Sequence, residues 1–171
     1  MCCRCLLLVT LCLVSRAVAA EGPAEGVPEL KALSNYVGTW DVAMDSKGSG
    51  ISKGEAVAAW ILGGRFVEQS GTLKTANGET AMTMKTLMTC DERAKAYRSW
   101  SFFSNGMAFE AKGEWDPEKK TMTSVSQSDG TTTTTTADFS KEGVEQWTIV
   151  TTNRNGGVVS ELKGTNTRQK N

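Results

Sequence analysis

The chain has 171 residues, with 19 Lys plus Arg against 19 Asp plus Glu, and no histidine. A neutral balance excludes the basic surface that nucleic acid and anionic membranes select. The missing imidazole excludes Ser-His-Asp and Cys-His catalysis and histidine-ligated metal or haem.

Residues 1–20 read as a secretory signal peptide. Arg4 supplies a basic start, residues 6–14 an apolar run, and Ala17-Val18-Ala19-Ala20 small residues for cleavage. The run is shorter than the roughly 20 residues of a membrane span. Leu11 before Cys12 is bulky where a lipoprotein signal needs a small residue. The expected product is periplasmic or extracellular, and 151 residues suffice for one domain with a core. Cys2, Cys3, Cys5 and Cys12 leave with the signal, so Cys90 remains alone and no intrachain disulfide is expected.

Residues 21–27 are rich in Gly, Pro and Glu and read as a flexible tether. Pro28 to Leu33 reads as a short helix, because Pro suits the first turn and Leu30 and Leu33 share a face. Ten short strands follow, over about 38–45, 54–62, 65–72, 81–89, 95–103, 107–115, 120–127, 131–138, 144–152 and 157–168. Turn residues separate them, including Gly63-Gly64 and Asn105-Gly106, which suit tight hairpins that need positive φ. The Thr131–Thr136 run reads as a strand, because β-branched residues favour extended backbone. Consecutive hairpins predict an all-β fold: an antiparallel up-and-down barrel of about ten strands over residues 28–171, with a short N-terminal helix. Closure would also remove exposed strand edges.

Gly38-Thr39-Trp40 opens the first strand. Trp40 is expected to plug one end of the barrel, with Arg168 from the last strand across its face. Such a cation–π stack is worth roughly 0.5–2 kcal/mol. Gly38, Trp40 and Arg168 are therefore read as a structural closure.

These residues resemble the calycins, the lipocalin and fatty-acid-binding group of barrels, in which such a Trp and Arg pack at the closed end. Leu62-Gly63-Gly64-Arg65-Phe66-Val67-Glu68, Tyr97-Arg98-Ser99-Trp100, Gly113-Glu114-Trp115-Asp116 and the late Gly/Arg pair resemble the DUF1579 family of exported bacterial proteins. That resemblance covers nearly all of the exported chain. It implies a barrel-like β domain and brings no established reaction. The related nitrobindins hold haem through an axial histidine; this chain has none, so no cofactor is expected.

Binding candidates come from strand alternation. Arg98 shares a face with Trp100 and Phe102. Such an Arg either points outward with its neighbours on an exposed aromatic patch or points into the barrel, where it pairs with an acid such as Glu68 or captures a ligand carboxylate. Met82, Met84 and Met88 fall on one face with Cys90, and read as an adaptable lining rather than a Cu(I) site. No metal is expected. The leading expectation is a small apolar or carboxylate-bearing amphiphile in the lumen. The alternatives are an interaction module whose barrel its own side chains fill, and an enzyme using carboxylates such as Glu55, Glu68 or Glu110. The ligand's identity and the oligomeric state stay open.

Overall fold

Ten segments that alternate inward and outward residues can hide their apolar faces and satisfy their edges together only by closing on themselves. The computed structural model does so; it describes residues 21–45 and 50–170. The strands are β1 (Gly38–Asp45), β2 (Ile51–Ile61), β3 (Phe66–Thr75), β4 (Thr80–Asp91), β5 (Ala96–Phe103), β6 (Ala108–Asp116), β7 (Thr121–Ser128), β8 (Thr131–Asp138), β9 (Val144–Asn153) and β10 (Val158–Arg168). Each pairs antiparallel with its sequence neighbours, and β10 returns to β1 to close the barrel. The expected strands are all present. β2 starts three residues earlier than expected, at Ile51. The expected signal peptide lies outside the described residues, as do residues 46–49 of the first turn.

A 3-10 helix over Pro28–Asn35 precedes β1 and covers one end. Its Leu30 and Leu33 are each 1% exposed. They pack with Trp60, Val67, Met88, Met122, Ala137 and Phe139 into the larger core cluster. Tyr36, just after the helix, meets Phe139 edge to face at 4.8 Å. Tyr97 ties the helix to β5 by donating its hydroxyl to the Glu29 carbonyl at 2.7 Å. Residues 21–27, expected to form a tether, touch the barrel. Ala24 N–H donates to the Gly64 carbonyl at 2.9 Å, and Val27 is buried.

Trp40 is 1% exposed, and the Arg168 guanidinium carbon sits 4.3 Å from its ring centroid. The guanidinium also donates to the carbonyls of Val37 and Asn35, and the indole N–H donates to the Tyr36 carbonyl at 2.7 Å. Helix, first strand and last strand are thereby locked together. Gly38 is required here: its φ is +132°, and a Cβ would stand 2.7 Å from an Arg168 nitrogen. No helix among the described residues is long and apolar enough to cross a membrane.

Candidate functional site

Residues directly opposite each other in a ladder share a face of the sheet. Trp40, Val42 and Met44 point inward, so their partners do too, and the assignment carries round the barrel. Trp40 faces Ala56, Ala56 faces Gly71, Gly71 faces Met84, and Met84 faces Phe103. The inward series on β5 is therefore Tyr97, Ser99, Ser101 and Phe103. The same reasoning places Phe109, Ala111 and Trp115 inward on β6, Met122, Ser124 and Ser126 on β7, and Thr133, Thr135 and Ala137 on β8. Glu145, Trp147 and Ile149 point inward on β9, and Leu162, Gly164, Asn166 and Arg168 on β10.

These side chains enclose a lumen of about 480 Å³, within the range of small-molecule sites. One wall is apolar and soft, built from Met44, Leu73, Met82, Met84 and Met88, with Phe103 and Phe109 beside it. The other is a hydroxyl wall of Ser124, Ser126, Thr133 and Thr135. Some hydroxyls pair across strands, Thr86 with Ser101 at 2.9 Å and Thr133 with Thr151 at 3.0 Å.

Deep in the lumen sits a polar triad. Glu145 is 6% exposed. Asn166 Nδ2 donates to its Oε2 at 2.7 Å, and Trp147 Nε1 donates to Asn166 Oδ1 at 3.0 Å. Burial pushes the Glu145 carboxyl up to about 7, against a smaller lowering by the Asn166 hydrogen bond. The Tyr36 hydroxyl, buried nearby, is raised first by burial and second by the Glu145 charge. Gly164 makes room for this arrangement, since a Cβ there would lie 2.4 Å from the Trp147 ring. Tyr97, whose ring also reaches the lumen, has its hydroxyl pushed up to about 12, mainly by burial.

Met82, Met84 and Met88 stand on the inner wall as expected from their phase. Arg98, Trp100 and Phe102 do share a face, but it is the outer one. Arg98 borders the lumen, yet its guanidinium turns to Asp91 at 3.7 Å and Glu110 at 3.6 Å, both at outward positions. Glu68 is outward as well and pairs with Lys85 at 2.9 Å, not with Arg98. Phe102 is 49% exposed and lines an open exterior groove of about 540 Å³ with Val57, Thr72 and Lys85. Glu55 meets Lys74 at 3.1 Å on the same exterior. The three carboxylates considered for catalysis therefore do not converge in the lumen. Cys90 points inward, is buried, and has its thiol raised, first by burial and then by Glu29, Asp91 and Glu92.

Sequence reasoning did not single out Glu145 or Asn166. The signal was present: Glu145 is in phase with Trp147 and Ile149, so an inward Trp and Ile carry the acid inward with them.

Fold and site define a closed ten-stranded antiparallel barrel with a ligand-sized lumen. Solved structures share this fold. Rv2717c from M. tuberculosis superposes with a TM-score of 0.62 at 13% identity, covering 84% of this chain and 99% of that one. The S-type phycobiliprotein lyase CPES from Guillardia theta gives a TM-score of 0.55 at 9% identity, covering 82% and 92%. At such identities the likeness shows the barrel and nothing finer. No protein-family model matches the chain, and no curated protein matches it in sequence.

Proposed function

We propose that this protein is an exported barrel that binds one small apolar or amphiphilic molecule in its lumen. The observation that carries the reading is the cavity of about 480 Å³ with a methionine and phenylalanine wall facing a hydroxyl wall. A barrel filled by its own side chains would have no such space. Methionine suits a site that must adjust to its occupant, because the thioether chain is flexible and polarizable. The polar anchor we assign is Glu145, in place of the Arg98 guanidinium, which borders the lumen but turns to Asp91 and Glu110. Export rests on the character of residues 1–20, and the resemblance to DUF1579 rests on the motifs quoted above alone.

Native mass spectrometry of protein purified from its own host tests the reading. The expected result is a co-purifying small molecule that is lost in Ala111→Trp, which places a large ring in the lumen. A spectrum of bare protein, with the lumen still accessible to added apolar probes, would mean that the host supplies no ligand. Bare protein that also refuses such probes contradicts ligand binding.

A further inference from the structure

Glu145 and Arg168 are the only formally charged side-chain types at the inward ladder positions traced above, among the described residues. Arg168 is committed to Trp40 and to the carbonyls of Val37 and Asn35. Glu145 is only half committed. Its Oε2 accepts from Asn166, Asn166 is its one side-chain donor among the described residues, and the residue lines the cavity. A tie between β9 and β10 alone would be served by a neutral amide. A carboxyl that is 6% exposed and lines the cavity can take a further donor from whatever enters.

Building on the lumen-binding reading, we infer that the ligand carries a basic nitrogen: a small amphiphile whose ammonium group seats against Glu145 Oε1 and whose apolar part lies along the methionine wall. Position supports this orientation. Glu145 is the second residue of β9, at the helix-covered end, whereas Met82, Phe109 and Leu162 line the cavity nearer the opposite rim. The ammonium would go in first, with the tail extending outward. An anionic head would have only Arg98 at the lumen border, among the described residues, and that guanidinium is shared with Asp91 and Glu110.

The groups around Glu145 set its proton response. Asn166 is its partner on β10, Tyr36 at the end of the helix feels its charge, and the nearest inward residue paired on β8 is uncharged Ala137, opposite Trp147. Burial holds the carboxyl near 7, so below that pH an arriving ammonium must displace its proton.

Isothermal titration with decylammonium, decanol and decanoate tests the inference on the intact protein. Decylammonium is expected to bind tightest at about pH 8 and roughly 30-fold more weakly at about pH 5.5, where the carboxyl is protonated. Titration in buffers of different ionisation enthalpy should show about half a proton released per ligand near pH 7. In Glu145→Gln, decylammonium should bind no more tightly than decanol, and its pH dependence should disappear. Decanol or decanoate binding as well as decylammonium to the natural protein at pH 8 would overturn the ligand class and leave lumen binding intact. Failure of all three to bind would remove both readings. Should Glu145→Gln fail to fold, absence of proton release by the natural protein overturns the inference on its own.

Discussion

The floor and the lumen of this barrel are built from the same inward positions on the same strands, yet they have opposite characters. At the floor, the Trp40 assembly is tied to the backbone. The indole donates to Tyr36, the guanidinium to Val37 and Asn35, and the ring is covered. A few residues along, the Trp147 assembly also pairs an indole with a charged-type group, through the Asn166 amide, but its bonds run between side chains and its members line the cavity. A network tied to the backbone fixes a structure, and one that lines a cavity can take a further partner. The same side-chain chemistry thus serves closure at one level and recognition at the next.

That contrast breaks first at the floor. Trp40→Ala is expected to remove about 3–5 kcal/mol of stability, because a fully buried indole leaves a cavity that rigid neighbouring strands cannot fill. Urea unfolding measures it, and a loss below about 1 kcal/mol would mean that the helix closes the barrel without Trp40.

The second effect belongs to the lumen and has a sign. The Glu145 carboxyl ionises at about 7 when folded and at its lower ordinary value when unfolded. Its contribution to stability is therefore complete below the unfolded value and is lost as pH rises through about 7. Stability should fall by up to roughly 3 kcal/mol across that window, and Glu145→Gln should flatten the curve. Denaturant midpoints at several pH values decide this; an equally steep curve in the variant would assign the dependence to other groups.

Arg168→Gln should cost about 1–2 kcal/mol, from the lost stack and two lost carbonyl contacts. Its effect on binding of a lumenal probe should be small, which separates floor from lumen. Arg98→Ala should cost least, below about 1 kcal/mol, because its ion pairs lie on the partly exposed exterior. Carboxylate binding abolished by Arg98→Ala would contradict the outward orientation of that side chain.

Much of the barrel was legible because turn chemistry and alternation are local. Gly63-Gly64 and Asn105-Gly106 fall at hairpins, and the strand limits differ from expectation by a few residues at most. The Trp40–Arg168 pairing is long-range, but a first and a last strand have to meet in any closed up-and-down barrel. Which phase of a strand faces inward was harder to read. On β5 both phases carry aromatics, Tyr97 and Phe103 inward against Trp100 and Phe102 outward, so hydrophobicity alone does not choose. Only the register against β4, with its one-sided Met82, Met84 and Met88, decides it. Glu145 was hidden for the complementary reason. Acids on strands normally mark the solvated face, and its partner Asn166 lies 21 residues further along the chain.

The most direct test of the lumen is binding of N-phenyl-1-naphthylamine, a neutral apolar fluorophore. The natural protein should show saturable fluorescence enhancement at about one equivalent, abolished by Ala111→Trp inside the cavity and retained by Val57→Trp on the exposed outer face. No saturable enhancement, or enhancement that Ala111→Trp leaves unchanged, would contradict a ligand-binding lumen.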